Sequence, residues 1–232
     1  MRTTDVKPWD LNYDSYNKEK YDDDIVRSIP WHELMHEEIC NQINLISREW
    51  EVEKALELWV WTGLTTEMIL KNYPNINFTV IDFSHQMLTW AKDRLKEYNV
   101  QYVESDYSEI RFEQWYDIVI SVIGMHHQSD RWKRKVFKNI YDCLWNKWVF
   151  ILWDLMMFED QEKTAINDAL HFHHLVENAR DEESLKERAY HHKFLNKLTT
   201  ANNQIEWLYE IWFKSVKVVF EKMNTVLIVA KK

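Results

Sequence analysis

Glycine is nearly absent, with 2 in 232 residues, where an average usage of about 7 % predicts roughly sixteen. A loop-rich domain needs residues that accept positive φ and close backbone approach, which is glycine's ordinary work. Cysteine is also scarce, at 2. Cys40 and Cys143 sit far apart in apolar-periodic surroundings, which reads as buried thiols of a reducing compartment rather than a disulfide framework. No apolar run approaches the roughly 20 residues of a membrane-crossing helix, and the first residues carry no apolar leader. The expectation is a soluble, cytoplasmic protein with no membrane partner. Positive charge is in deficit too, with 29 Lys and Arg against 38 Asp and Glu, a formal net charge of -9. Nucleic-acid binding rests on clustered cations that neutralise phosphates, so no nucleic-acid partner is expected. A small-molecule substrate fits better, with the chain a monomer or homodimer. What is abundant is tryptophan, at 13.

The chain is long enough for one α/β domain with a sizeable core, and no repeat or sharp linker divides residues 1–232. From about 13 to 48, Ile25, Ile29, Leu34, Ile39, Ile43 and Leu45 recur at helical intervals, and Pro30 breaks the run in two. This predicts an N-terminal helical flap. Apolar runs then alternate with amphipathic segments. Strands are expected at Ala55–Val60, Phe78–Phe83, Val100–Glu104, Tyr116–Val122 and Val149–Leu155. Helices are expected at Thr65–Asn72, Ser84–Tyr98 and Asp130–Leu144. Nearly continuous Val, Ile and Leu in the strands, with helices between them, indicates a doubly wound parallel sheet covered on both faces. Residues from about 159 to 203 are charged and helical, a lid inserted before the end of the sheet. A helix at Gln204–Glu210 precedes a hairpin of Val216–Phe220 and Thr225–Val229.

Four landmarks then stand in order. The first strand and turn read Ala-Leu-Glu57-Leu-Trp59-Val-Trp61-Thr-Gly63; the second strand ends Val-Ile-Asp82-Phe83-Ser, followed by Gln-Met87-Leu; Glu104-Ser-Asp106-Tyr107 follows the third; Ile-Gly-Met-His126-His127 follows the fourth. In these segments the chain resembles the class I, Rossmann-like S-adenosylmethionine (SAM) dependent methyltransferases. The first looks like the family's E/D-x-G-x-G-x-G loop with two of three glycines replaced by tryptophan. The resemblance implies a seven-stranded sheet with only the last strand antiparallel, and a ligand at the carboxyl edge near the switch point.

It also implies roles. Glu57 would place the methionine end of SAM and the amides of the following loop, Gly63 would help hold the cofactor, and Asp82 would accept from the paired ribose hydroxyls. Phe83 and Met87 would wall the adenine, Asp106 would take its amino group, and Tyr107 would flank the ring or lie on the surface. Arg27 is either a clamp on the SAM carboxylate or an exposed helix charge. His126 and His127 stand where an acceptor would approach, as a catalytic base or a pair shaping the pocket. The later His171, His173, His174, His191 and His192 read as a solvated or substrate-lining lid face rather than a metal site, and no metal is expected. The reading is a SAM-dependent methyltransferase for a small-molecule acceptor; the alternative is a non-catalytic pseudo-methyltransferase or nucleoside-binding protein.

Trp59 and Trp61 occupy family glycine positions, and by resemblance so do Trp148, in a turn before strand five, and Trp212. An indole offers neither free φ nor room for a ligand. Two glycines and thirteen tryptophans together come close to the roughly sixteen glycines expected. That arithmetic points to one codon written as tryptophan and decoded as glycine, as where UGA is reassigned. The rival is a pseudoenzyme whose indoles fill the pocket.

Overall fold

The computed structural model describes residues 18–112 and 115–232, so the first part of the expected flap lies outside the described residues. A seven-stranded sheet in the order β3-β2-β1-β4-β5-β7-β6 forms the centre. The strands are β1 (Lys54–Leu58), β2 (Asn77–Asp82), β3 (Val100–Glu104), β4 (Tyr116–Val122), β5 (Leu144–Leu155), β6 (Ser215–Lys222) and β7 (Thr225–Lys231). All neighbouring pairs among β1 to β5 are parallel, and β7 alone runs against its neighbours β5 and β6. Every β4 residue is buried, as expected of a central strand covered on both faces. The core divides into two apolar clusters, one about Leu56, Leu58, Val119 and Phe150, the other about Val80, Ile118, Ile120 and Ile151. Alternate side chains of the same strands feed opposite faces.

The covering helices are α3 (Leu64–Asn72), α4 (His85–Arg94), α5 (Asp130–Cys143) and α8 (Ala201–Glu210). The flap is α1 (Lys18–Ser28) and α2 (His32–Ser47), broken at Pro30. The lid is α6 (Gln161–Asn178), α7 (Glu182–Tyr190) and a π turn, His191–Leu195. Asp160 caps α6, accepting from the amides of Glu162 and Lys163; Asp181 and Thr200 cap α7 and α8 in the same way.

Lid and flap are tied together. The Ser184 hydroxyl donates to Asp24 at 3.0 Å, Arg180 pairs with Asp24 at 3.3 Å, and His174 Nε2 donates to the Arg27 carbonyl at 2.9 Å. A buried lysine fixes the chain's return to the sheet: Lys133 Nζ donates to the Lys197 carbonyl at 2.5 Å and to Thr199 Oγ1 at 2.6 Å.

Two boundaries differ from expectation. Strand β5 begins at Leu144, and its pairing with β4 jumps from Tyr116↔Leu144 to Ile118↔Val149. Trp148 therefore lies within β5 rather than in a turn before it, and its φ is not positive. A glycine-requiring backbone is thus not found there. Trp212, by contrast, sits just past α8 with φ 81. The amide of Trp212 bonds the Tyr209 carbonyl and that of Phe213 the Leu208 carbonyl. This is the Schellman termination, whose left-handed residue is usually glycine. The Trp212 ring is 74 % exposed, so it recovers little burial in return. Replacing it with glycine is expected to raise stability by about 1 kcal/mol, the lower end of the cost of a strained residue. In thermal unfolding this appears as a Tm increase of roughly 2–4 °C; an unchanged or lower Tm would refute the strain.

Candidate functional site

The sheet changes winding direction between β1 and β4, and the carboxyl ends of β1, β2 and β4 meet there. Asp82 ends β2 and is fully buried. Its Oδ2 accepts from the Trp61 amide at 3.0 Å and its Oδ1 from the Ser84 amide at 2.9 Å. The carboxyl group thus binds the turn after β1 to the start of α4. Burial raises its pKa to about 7 against the pull of those amides. Glu57 is equally buried in β1 and accepts from the Thr66 hydroxyl of α3. Burial first, and Asp82 in addition, raise its pKa to about 8. Two acids therefore stand at the switch point in an environment that keeps Glu57 mostly protonated near neutral pH and Asp82 about evenly divided between acid and carboxylate.

The turn after β1 is left-handed at every second residue, with φ 61 at Trp59, 54 at Trp61 and 82 at Gly63. Gly63 is the N-terminal boundary of α3, and a Cβ there would meet Ala91 of α4 at 3.3 Å. The same geometry recurs at Trp31, with φ 67 and ψ 23 before α2, against φ 82 and ψ 16 at Gly63.

The Trp59 indole is 1 % exposed. It stacks on Trp61 with centroids 5.2 Å apart, meets Phe83 edge-on at 5.4 Å, and lies 5.6 Å from Tyr107 and 5.1 Å from His127. Its Nε1 is buried without a hydrogen-bond partner, which costs about 1–3 kcal/mol. Gly124, after β4, leaves the indole its space: a Cβ there would approach the ring to 3.1 Å. Phe83 and Tyr107, expected beside a cofactor, and His127, expected at the acceptor, thus surround an indole. Met87 is buried in the same cluster.

Other expected residues are elsewhere. Arg27 is exposed and paired with Asp23 at 2.8 Å, and it lines neither cavity described below. Asp106 is half-buried and accepts from the Ser108 amide and hydroxyl, at 2.9 and 2.7 Å, closing its own turn. The cation near the loop is Arg94 of α4. It donates to the Thr62 carbonyl at 2.9 Å, to Glu67 at 3.0 Å, and to Asp22 of α1. Thr62 in turn donates to Asp22 at 2.6 Å. This knot fixes the flap over the loop, and no motif in the sequence announced it.

Two cavities flank Trp61. One, small, lies under the flap against Thr62, Thr65, His32, His36 and Trp153. The other lies between flap, lid and the end of β4, partly open to solvent, and His126, His127, His171, His191, His192 and Arg188 line it. His126 Nδ1 bonds Asp154 of β5 at 2.5 Å, which fixes the ring. His127 keeps a buried, unpartnered Nε2. Burial, then the neighbouring imidazoles, hold the His127 pKa well below its ordinary value; His171 and His191 are lowered to about 3 for the same reasons. His127, His171 and His191 therefore face the chamber as neutral imidazoles. Asp154 is the functional candidate that sequence reading missed; its one signal is an acid within an apolar strand run. His171 donates to the Ser28 carbonyl and accepts from Asn224, while His173 faces solvent. Among the described residues no three His, Cys, Asp or Glu side chains converge on a point suited to a metal ion. Nor is any described helix long and apolar enough to cross a membrane.

Fold and edge together define a Rossmann-like α/β protein with two buried acids at its switch point. Residues 55–147 match the family model of a methyltransferase domain. Over 91 residues the chain is 31 % identical to malonyl-[acyl-carrier protein] O-methyltransferase of Bacillus anthracis, covering 39 % of this chain and only a third (33 %) of that protein. It is 25 % identical over 216 residues to carboxy-S-adenosyl-L-methionine synthase of Nautilia profundicola, covering 91 % and 90 % of the two chains. Among solved structures, the CurJ carbon methyltransferase is similar at TM-score 0.70, with 16 % identity, 97 % of this chain and 61 % of that one. The N-methyltransferase NodS of Bradyrhizobium japonicum, in complex with S-adenosyl-L-homocysteine, is similar at 0.59, with 15 % identity and 88 % of each chain. Over residues 55–147 in sequence, and across most of the chain in fold, the protein is similar to class I SAM-dependent methyltransferases.

Proposed function

We propose that the protein is a SAM-dependent methyltransferase whose acceptor is a small molecule held in the histidine-lined chamber between flap and lid. The carrying observation is the pair of buried acids, Glu57 and Asp82, at the edge where the family's loop turns left-handed three times. Asp82 retains lone pairs for two sugar hydroxyls beyond the amides it already accepts. Phe83 and Tyr107 supply apolar walls for a base.

The side chains at 59 and 61 do not fit this cofactor. The Trp59 indole stands between those walls, and Trp61 stacks on it. The chain as written therefore favours a second reading, a pseudoenzyme with a plugged pocket, on that one observation. The two readings part when the indoles are removed.

The chamber itself is suited to placing an acceptor. Holding two reactants in line supplies much of the acceleration of a displacement reaction. His126 is the better placed of the two histidines to take a proton, because Asp154 fixes its ring and supports the imidazolium that would form. His127, held neutral, shapes the wall. In protein carrying glycine at 59 and 61, methyl transfer from labelled SAM to a panel of small metabolites is the test. There His126→Asn is expected to lower kcat by about 100-fold, the low end for general-base catalysis, and His127→Asn to act mainly on the acceptor KM. Equal, small effects of both would leave the pair a structural role. No transfer to any acceptor, with SAM bound, would support the non-catalytic reading.

A further inference from the structure

We infer that residues 31, 59, 61 and 212, written as tryptophan, are glycine in the protein as its own cells make it, and that the cofactor cleft is open there. The inference rests on the methyltransferase reading only for what fills the cleft.

Six described non-glycine residues have positive φ, and four are tryptophan: Trp31, Trp59, Trp61 and Trp212. With 13 tryptophans in 232 residues, chance places fewer than one of them in such a group. Positive φ in non-glycine residues is uncommon and is enriched in Asn, Asp and His, whose polar groups bond locally. Tryptophan has no such excuse. Each of the four also stands where glycine has a defined structural task. Trp212 is the left-handed residue of a Schellman termination. Trp31 repeats before α2 the conformation that a real glycine, Gly63, holds before α3. Trp59 and Trp61 complete with Gly63 a run of three left-handed residues at alternate positions.

Their surroundings agree. Trp59 and Trp61 crowd the end of a sheet whose two buried acids accept from neutral hydroxyl and amide groups. Trp59 Nε1 is left unpartnered in the core, although buried indole N–H groups usually find an acceptor. Gly124 is squeezed against the ring. With glycine at 59 and 61, Asp82, Phe83, Tyr107 and His127 would line one cleft at the switch point. A single codon decoded as glycine and written as tryptophan accounts for all four positions together. Trp148, whose backbone is not left-handed, falls outside the argument.

Two measurements test this. Peptide mass mapping of the protein isolated from its source, read beside the gene, should show glycine at 31, 59, 61 and 212 from one shared codon. Tryptophan at any of the four, or differing codons, overturns the inference. Separately, titration calorimetry should show no heat with SAM for the chain as written, and micromolar binding for the Trp59→Gly/Trp61→Gly protein. SAM binding by the chain as written would overturn the second part of the inference, that glycine is what opens the cleft, because the indoles would then not obstruct it. Glycine in the peptides with no SAM binding by the double variant would uphold the inference and overturn the methyltransferase reading, so the two failures are distinguishable.

Discussion

Thermal stability is expected to peak near pH 6.5 and to fall on both sides, by roughly 5–10 °C in Tm per pH unit for a domain of this size. The two limbs come from different residues. Burial lowers His32, His171 and His191 to about 3 and His36 to about 4, and lowers His127 as well. In the unfolded chain these imidazoles titrate near 6.5. Below that pH the unfolded state binds protons the folded state refuses, so acid favours unfolding. Glu57 and Asp82 act with the opposite sign. Their folded pKa values, about 8 and about 7, lie above ordinary carboxyl values. Between those ordinary values and pH 8 the folded state holds protons the unfolded state has released. The stability they contribute is complete in acid and is lost as pH rises through 7 and 8. At about 1.4 kcal/mol per pKa unit, each group amounts to a few kcal/mol. Where the limbs overlap, from about pH 4.5 to 6.5, the histidines win by number. Glu57→Gln should flatten the alkaline limb and leave the acid limb in place. A Tm constant from pH 5 to 8 would show that these groups are hydrated.

The sheet could be read from the chain because its signal is local. Val, Ile and Leu runs with helical segments between them determine the strands whatever the tertiary context, and Asp82 and Glu57 are placed by their distance from a strand's end. Partners across the fold carry no such signal. Asp154 meets His126 only because β5 lies beside β4, and Arg94 reaches Asp22 only because the flap folds back over α4. Arg27 followed the opposite course: a plausible clamp from its place on the flap, it points to solvent and pairs with Asp23 one turn earlier. The left-handed Trp31 was missed because it belongs to no motif. Trp148 was misplaced because the register jump between β4 and β5 depends on pairing, which periodicity does not encode.

Removing Asp82 is expected to give the largest single loss of stability at the site. Asp82→Ala leaves the amides of Trp61 and Ser84 without their acceptor, one of them fully buried, at about 1–3 kcal/mol each. That total is a large share of the roughly 5–15 kcal/mol that holds a domain together. Asp82→Asn should cost about half as much, since its one carbonyl oxygen serves one amide while its NH₂ faces the other. A thermal or urea melt of both variants at pH 6 checks the order. If Ala and Asn cost the same, the amides do not depend on the carboxyl group. The same pair of variants separates structure from ligand in the glycine-bearing protein. A carboxylate accepting from two sugar hydroxyls contributes charge-assisted bonds, about 1.5–3 kcal/mol each. Asp82→Asn should then weaken SAM binding at least tenfold while the protein stays folded. Unchanged affinity in a folded Asn variant would confine Asp82 to tying the β1 turn to α4, and the cofactor would have to be held from elsewhere on the edge.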